Sequence, residues 1–264
     1  MHTVLITGTS SGIGEAAAKA LLADGWNVVA TARDPATVLR GVENPRLLRV
    51  RLDLTDTQSI ATAFEAASSQ FSAIDVVVNN AGIGLGGPLE AVSPDQLREH
   101  LEVNVVGVAA VCQAAAAHMR SHGKGLIINV TSLAGRAGIP FLAPYCAAKF
   151  AVEGLTEALY YELRPFSIRV KLIEPGGART KFSHLWASHP AYSPAADDVR
   201  QTMITGAEKA APPERVAEVI LAATKDNSDR LRHAATDAVP ALRMLRLLPD
   251  WAWRKVLSKG FGLT

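Results

Sequence analysis

The sequence of 264 residues predicts a single-domain α/β fold, in which helices cover both faces of a doubly wound parallel sheet. Short β-rich runs alternate with longer helical patterns, as is typical of parallel sheets. Two of the runs, VVVNN and LIINV, are apolar without alternation, as expected for strands buried on both faces. A hydrophobic content of 48% supplies enough apolar residues for a sizeable core.

The elements follow in chain order. We expect strands at residues 2–7, 26–31, 46–52, 73–80, 125–132 and 168–175, with a short last strand at 230–234. Helices are expected at 12–24, 57–71, 94–121, 143–164 and 212–224. Residues 176–213 show little periodicity and many Pro, His, Ser, Ala and Asp residues, so we interpret this stretch as an irregular lid over a site. Pro249 divides the tail into two short helical pieces.

Composition excludes several classes of protein. A net charge of +2 gives no electrostatic footprint for nucleic acid. The two cysteines, Cys112 and Cys146, form neither a metal-ligand pattern nor a disulfide scaffold, so we expect a reducing compartment, the cytoplasm, and no metal site. We recognise no signal peptide and no apolar run of membrane-spanning length, so we expect a soluble chain.

The first strand ends in a glycine-rich turn, TGTSSGIG, which runs from Thr7 to Gly14. Such a turn lets the backbone approach a pyrophosphate, and the following helix offers free N–H groups at its N-terminus. The spacing is G-x-x-x-G-x-G rather than the general G-x-G-x-x-G. A tight connection without any ligand is the alternative interpretation.

The second strand leads into Ala32, Arg33 and Asp34. In a nucleotide-binding sheet this position faces the adenosine ribose, where a carboxylate selects a free 2'-hydroxyl and an arginine accommodates a 2'-phosphate. Such a charge-assisted contact contributes about 1.5 to 3 kcal/mol, enough to favour NADP over NAD. The alternative for Arg33 is a solvated surface residue. Asp34 precedes Pro35 and is expected to cap a turn.

Three further polar positions each have two interpretations. Asp53 either meets an adenine edge or is a turn or cap residue ahead of the helix that starts near Thr57. The run NNAG, Asn79 to Gly82, either passes close to a flat ligand or simply terminates a strand. Asn104 lies in an apolar helix, where it either satisfies a local distortion or holds a water molecule, and the two roles are compatible.

Ser132, Tyr145 and Lys149 are candidate catalytic residues. Ser132 ends a strand at the edge where open α/β sheets bind ligands. Tyr145 and Lys149 lie one helical turn apart, on the same face. A phenol becomes useful near neutral pH only if its pKa falls by about three units, or roughly 4 kcal/mol, and a neighbouring ammonium contributes to that. The alternative is an ordinary tyrosine beside a snorkelling lysine.

Taken together, the glycine turn, NNAG, Asn104, Ser132, the Tyr145-x-x-x-Lys149 pair and Pro175-Gly176 resemble the short-chain dehydrogenase/reductase family over residues 1 to about 235. The resemblance implies a Rossmann-type fold and NAD(P)-dependent interconversion of carbonyls and alcohols. It further implies that Tyr145 exchanges a proton with substrate oxygen, while Ser132 hydrogen-bonds that oxygen. Lys149 would bind ribose hydroxyls and lower the tyrosine pKa, and Asn104 would hold the water of a proton relay.

The same resemblance implies a cofactor site and its preference. Ala32 stands where members preferring NAD usually carry an acidic residue, and Arg33 matches the position used by members preferring NADP, so NADP(H) is expected over NAD(H). One departure is Ser11, which stands where many of the latter place a basic residue. The implied cofactor residues are Gly8, Ser10, Ser11, Gly12, Ile13, Gly14, Arg33, Asp53, Leu54, Asn80, Ala81, Gly82, Tyr145, Lys149, Pro175, Gly176 and Thr180.

Substrate and domain limits follow from the same comparison. The segments TARDP, NNAGIGLGGPLE and PYCAAKFAVEGL are similar to the corresponding segments of members that act on steroids, retinoids and other apolar ketones or alcohols. The apolar loop 139–144 would favour such substrates if it lines the pocket. We assign residues 1–235 to the NAD(P)-binding catalytic domain, with a mobile lid at about 176–211, and 236–264 to a helical extension. The resemblance favours a homodimer or homotetramer through helices 94–121 and 143–164.

Alternatives stay open at two points. The tail residues Trp251, Trp253, Arg254 and Lys255 suit an amphipathic membrane-surface segment, but packing on the same domain or on a partner subunit is favoured. The chain as a whole could be a catalytically silent NADP-binding regulator, although such members usually lose part of the tetrad. An epimerase or dehydratase would be expected to have a longer C-terminal domain and another glycine spacing.

Overall fold

The computed structural model describes residues 2–263, apart from the side chain of Arg246. Its main sheet has seven parallel strands in the order β3-β2-β1-β4-β6-β7-β9. The strands are β1 Thr3–Thr7, β2 Asn27–Ala32, β3 Leu47–Arg51, β4 Val76–Asn79, β6 Gly125–Val130, β7 Ile168–Pro175 and β9 Arg232–Ala235, while β5 Gly84–Gly86 and β8 His184–Trp186 form a separate pair. The predicted fold class is confirmed.

Helices cover both faces of this sheet. They are α1 Gly12–Ala23, α2 Thr57–Phe71, α3 Pro94–Leu101, α4 Gly107–His122, α5 Ala143–Leu163, α6 Ala195–Lys209, α7 Glu214–Lys225, α8 Ala238–Leu247 and α9 Asp250–Gly260. One core layer includes Leu21 and Ile220, from α1 and α7. The other includes Phe64 and Met119, from α2 and α4. Buried strands between two helical layers explain the unbroken apolar runs of the sequence.

The helix expected at 94–121 is interrupted. A π-helical turn, Glu102–Val106, joins α3 to α4 and places Asn104 at its centre. The whole stretch Pro94–His122 is long and apolar enough to cross a membrane, contrary to the expectation from sequence. Val111, Ala115 and Met119 are nevertheless completely buried in the protein core. These three residues of the stretch therefore belong to the protein core.

Residues 176–213 are more regular than predicted. They contain the strand β8 and the helix α6, and β8 pairs in parallel with β5 through the register Gly84↔His184. The helix escaped prediction because it buries only Ala196 and Val199, which leaves a weak apolar stripe. The β5 strand reads Gly-Leu-Gly, which has no β propensity of its own.

The tail forms two helices on either side of Pro249, as predicted. Trp253 is buried, in line with the favoured alternative that the tail packs on its own chain. Trp251 is 65% exposed, with the ammonium of Lys255 above its ring at 5.3 Å from the centroid. The two tryptophans thus lie in opposite environments.

Candidate active site

A cleft of about 790 Å³ opens at the carboxyl edge of the main sheet. This is where ligands bind in open α/β folds, and the volume lies within the range of ligand pockets. All of the sequence-predicted site residues line the cleft except Gly14 and Asn104. The sheet topology therefore brings together motifs spread over more than half of the chain.

The glycine turn forms one wall of the cleft. Gly8 has φ +73°, and a Cβ atom there would lie 2.8 Å from the Cα of Ala81, so only glycine fits. The side-chain amide of Asn80 donates hydrogen bonds to the carbonyl oxygens of Thr7 and Gly8, at 3.0 and 3.1 Å. The Thr7 hydroxyl oxygen accepts from the backbone N–H groups of Asn80 and Ala81. NNAG thus fixes the shape of the turn.

The start of α1 is suited to an anion. Ser11 occupies the N-cap position but makes no side-chain capping bond, so it does not saturate the first N–H groups of the helix. Gly14 lies behind the cleft, where a Cβ atom would lie 2.5 Å from the side-chain nitrogen of Asn80. The role of Gly14 is to let α1 approach the turn closely.

Arg33 marks the other end of this wall. It is exposed, lines the cleft, and forms no ion pair with any residue in the range 2–263. The Asp34 carboxylate accepts from the N–H of Ala36 at 3.0 Å, which confirms the predicted turn cap. The carboxylate of Asp53 accepts hydrogen bonds from the N–H and the hydroxyl of Thr55. The bond from the backbone N–H is the main reason why the pKa of Asp53 is lowered. Asp53 is therefore a turn residue that also lines the cleft.

Ser132, Tyr145 and Lys149 meet at the opposite end. Ser132 follows β6, and its hydroxyl oxygen accepts from the N–H of Ala134 at 3.1 Å. Lys149 is 8% exposed and donates to the carbonyl oxygen of Val130 at 3.1 Å. Its ammonium nitrogen lies 5.7 Å from the centroid of the Tyr145 ring. The three side chains converge as the spacing predicted.

Burial shifts both ionisable groups toward their neutral forms. It raises the pKa of Tyr145 to about 12, while the Ser132 side chain acts in the opposite direction. It lowers the pKa of Lys149 to about 8, while the Glu153 charge acts in the opposite direction. In this arrangement the Lys149 ammonium is directed to the carbonyl oxygen of Val130. That Lys149 lowers the pKa of Tyr145 during the reaction stays a prediction.

Asn104 acts from behind the cleft. It is 1% exposed, its side-chain oxygen accepts from the N–H of Ile83 at 3.1 Å, and its nitrogen donates to the Ile83 carbonyl at 3.0 Å. A Cβ atom on Gly82 would lie 2.7 Å from the Asn104 oxygen. The Asn104 nitrogen also donates to the carbonyl oxygen of His100, one turn earlier, at 3.0 Å. Asn104 therefore both satisfies the π-helical turn and fixes the cleft wall at residues 82–83.

The loop after β7 closes the cleft from above. Pro175 ends β7, and the N–H of Gly177 donates to the Asp237 carboxylate at 2.7 Å. Thr180 then reaches the glycine turn, since a Cβ atom on Gly12 would lie 3.2 Å from the Thr180 methyl group. The loop thus connects the two ends of the cleft.

Sequence reasoning missed three aromatic side chains around Tyr145. The rings of His100, Phe182 and His184 lie 6.2, 6.0 and 5.0 Å from its ring, centroid to centroid. Burial lowers the pKa of both histidines to about 4, so both are neutral near pH 7. Only His100 carried a signal, since it precedes Asn104 by one helical turn.

The apolar loop 139–144 is not where the substrate argument placed it. None of its residues lines the cleft. Leu142 is instead buried against Cys146 and Trp186, because β8 covers the loop. The apolar cleft walls come from other residues, among them Leu85, Val103, Phe182 and Leu185.

The sheet order and the Ser-Tyr-Lys cluster at its carboxyl edge define the class of Rossmann-type oxidoreductases. The family model described as short chain dehydrogenase matches residues 2–190, and the chain belongs to the short-chain dehydrogenase/reductase family.

Individual relatives cover different parts of the chain. It is 42% identical over 196 residues to the oxidoreductase C162.03 of Schizosaccharomyces pombe. The matched region covers 72% of this chain and 66%, just under two thirds, of that protein. It is 36% identical over 272 residues to the oxidoreductase YusZ of Bacillus subtilis, with 97% and 96% of the two chains covered. It is 38% identical over 263 residues to 17-beta-hydroxysteroid dehydrogenase type 1 of Homo sapiens, with 91% and 80% covered.

Solved structures share the fold over nearly the whole chain. A short-chain dehydrogenase from Streptomyces avermitilis has a TM-score of 0.84 at 31% identity, with coverage of 97% and 96%. A relative from Burkholderia phymatum in complex with NAD has a TM-score of 0.81 at 25% identity, covering 93% and 92%. A short-chain dehydrogenase from Burkholderia cenocepacia in complex with NADP has a TM-score of 0.77 at 26% identity, covering 97% of each chain.

Proposed function

We propose that this chain transfers a hydride between NADP(H) and the carbonyl or secondary alcohol carbon of an apolar substrate. The observation that carries the proposal is a single cleft with Ser132, Tyr145 and Lys149 at one end and Arg33 at the other. The solved relatives that hold NAD or NADP support a nicotinamide cofactor for this fold.

The residues present fit a dinucleotide. Gly8 leaves room for a close backbone approach, and the N-terminus of α1 favours a pyrophosphate. Asp53 and Leu54 would flank the adenine. Residues Asn80 to Gly82 would line the adenosine ribose. The nicotinamide would be contacted by Pro175, Gly176 and Thr180. A bound nicotinamide supplies or accepts the hydride.

The proposed preference for NADP rests on one wall of the cleft. Ala32 presents no carboxylate that would select a free 2'-hydroxyl or repel a phosphate. Arg33 is exposed, lines the same cleft as Ser10 and Ser11, and is available to a 2'-phosphate. A charge-assisted contact of this kind contributes about 1.5 to 3 kcal/mol, which is roughly ten- to a hundredfold in affinity.

Tyr145 is the proposed general acid and base. With a pKa of about 12 it is protonated at neutral pH, so its resting form is set to donate a proton to a carbonyl oxygen. The Ser132 hydroxyl would hydrogen-bond that oxygen, and the Lys149 ammonium would stabilise the phenolate left behind. Asn104 holds the wall at Ile83, where it would position the water that returns a proton.

The proposed substrate is apolar because the cleft wall around Tyr145 is apolar. Phe182 and Leu185 are 45% and 59% exposed, so the lid offers apolar surface that a substrate would cover. Leu85 and Val103 line the cleft as well. The relative named a 17-beta-hydroxysteroid dehydrogenase supports the same substrate class.

Assembly and compartment belong to the same proposal. Phe150 and Tyr161 on α5 are 47% and 74% exposed, which supports a homodimer or homotetramer through this helix. Cys112 and Cys146 are both free and buried, which agrees with a cytoplasmic setting. Light scattering after size exclusion measures the assembly, and a monomer at micromolar concentration would contradict it.

A substrate panel tests the proposed activity. Apolar ketones, aldehydes and alcohols are combined with each of NADP(H) and NAD(H), and absorbance of the reduced nicotinamide is followed. We expect turnover of an apolar ketone or secondary alcohol, with NADP(H) preferred. Binding of NADPH without turnover of any pair by the folded protein would instead favour the silent regulator.

A further inference from the structure

A cluster of buried charges lies beneath the proposed catalytic residues. Glu153 and Glu174 are 5% and 2% exposed. The Nε atom of Arg232 lies 3.2 Å from a carboxylate oxygen of Glu153 and 3.3 Å from one of Glu174. Arg136 pairs with Glu174 at 2.8 Å, and Glu157 is a further partner of Arg232. The proposed reaction uses none of these groups, although burying them is costly.

Glu153 connects this cluster to the active site. It follows Lys149 by one helical turn, so the two side chains leave the same face of α5. Its other carboxylate oxygen accepts from the hydroxyl of Thr131 at 2.6 Å, and Thr131 directly precedes Ser132. A Cβ atom on Gly135 would lie 3.1 Å from both the Glu153 Cγ and the Lys149 carbonyl oxygen. The helical turn between them is therefore tightly covered.

We propose that Glu153 is a positioning residue that keeps Lys149 in its ammonium form. Arg232 pairs with the Glu153 carboxylate and partly neutralises its charge. The inference rests on the proposed function, which gives Lys149 its ribose contact. A buried ammonium without a nearby negative charge tends to lose its proton. An uncompensated carboxylate would instead pair with the lysine and compete with the ribose. Arg232 occupies the carboxylate and leaves Lys149 directed at Val130.

The other charged and titratable groups around Lys149 do not replace Glu153. Tyr145, on the same helix, is neutral below about pH 12, and His100 of α3 is neutral above about pH 4. Glu174 of β7 is shared between Arg136 and Arg232. Burial lowers the pKa of Lys149 to about 8, and the Glu153 charge opposes this. Burial also raises the pKa of Glu153, while the Thr131 hydroxyl, Arg232 and Arg136 act in the opposite direction and favour its charged form.

NADPH binding as a function of pH tests the inference without any turnover. Fluorescence titration gives the dissociation constant from pH 6 to pH 10, and affinity is expected to fall as Lys149 loses its proton, near pH 8 in the unchanged protein. The variant Glu153→Gln keeps an oxygen acceptor for Thr131 and removes the charge. We expect the midpoint to move down by about one pH unit, a tenfold change in the acid constant.

Glu157→Gln is the matched control. Glu157 also contacts Arg232 from α5, but it is 52% exposed and lies one turn farther from Lys149. Its removal alters the same arginine without removing the charge next to the lysine, so the midpoint is expected to stay where it is. If the pH midpoint of NADPH binding moved down equally in both variants, Arg232 rather than the Glu153 charge would determine the protonation of Lys149. That result would overturn the inference.

Arg232→Gln provides a second variant in case Glu153→Gln does not fold. Removing the compensating cation leaves the Glu153 carboxylate less screened, so the midpoint is expected to move up. If Glu153→Gln or Arg232→Gln folds and its pH midpoint does not move, the inference is overturned and the proposed function is unaffected. If the unchanged protein fails to bind NADPH, the proposed function falls and takes the inference with it.

Discussion

The imidazole of His184 packs edge-on against the phenol ring of Tyr145, with the ring centroids 5.0 Å apart and the planes at 83°. His184 belongs to β8, which hydrogen-bonds to β5 beside the cleft. Phe182 packs on both rings, at 6.0 and 5.4 Å. The pairing of β5 with β8 therefore places Phe182 and His184 directly against the proposed acid and base.

Gly84→Ala is expected to weaken this placement. A Cβ atom there would lie 2.7 Å from the ring of His184 and 2.8 Å from the carbonyl oxygen of Ser183, so β8 must move away. We expect KM for the substrate to rise about tenfold, with the NADPH dissociation constant changed less than about threefold, because misplacement by 1 Å already has large effects. Steady-state kinetics and fluorescence titration measure the two quantities.

Gly206→Ala in α6 is the control for that substitution. Nothing lies within 4 Å of a Cβ atom at Gly206, and alanine favours the helix. An unchanged KM in Gly84→Ala, or an equal rise in both variants, would contradict a role of the β5–β8 contact in substrate binding.

The sheet and its edge were predictable from sequence because their signals are local. Buried strands read as apolar runs, and the glycine turn and the Tyr145–Lys149 spacing follow from backbone geometry within a few residues. Since parallel strands share one carboxyl edge, the order of the motifs predicted most of the cleft lining.

The contacts of Phe182 and His184 with Tyr145 and the charge network were not predictable in the same way. His184 contacts Tyr145 across 38 intervening positions, through a pairing with β5, a strand that has almost no β propensity. Glu153 and Arg232 meet only because β9 lies beside β7, at the far edge of the sheet. The pKa of Tyr145 depends on burial, which the spacing of two residues does not report.

Tyr145→Phe is expected to lower kcat by about a hundred- to ten-thousandfold, the range for loss of a general acid and base. Cofactor binding should largely survive, because the ring still packs against His184 and Phe182. Tyr161→Phe, on the same helix at 74% exposure, serves as the control and should retain full turnover. Unchanged turnover in Tyr145→Phe on a verified substrate would refute the proposed mechanism.

Arg33→Ala is expected to weaken NADPH binding by about ten- to a hundredfold and NADH binding much less, because only NADPH carries the 2'-phosphate. Isothermal titration with both cofactors measures the difference. Arg51→Ala is a suitable control, since Arg51 lies on the neighbouring strand and pairs with Asp56. Equal losses for both cofactors in Arg33→Ala would rule out the phosphate contact.

His100→Gln is expected to flatten the loss of stability in acid. Burial lowers the pKa of His100 from 6.5 to about 4, so between these values the unfolded chain binds the proton and the folded protein does not. The resulting stability is fully present above about pH 6.5 and is lost as pH falls toward 4. For this side chain, which is 1% exposed, the difference amounts to as much as about 3 kcal/mol.

Urea unfolding at pH 7 and pH 4.5 measures that difference. The unchanged protein should lose more free energy of unfolding between the two pH values than His100→Gln does, by about 2 kcal/mol. The exposed His189, replaced by Gln, is the control and should show the same loss as the unchanged protein. Comparing the two pH values separates protonation from contacts that the substitution removes at every pH, such as those with Asn104. Parallel curves for His100→Gln and the unchanged protein would show that the imidazole is not held neutral.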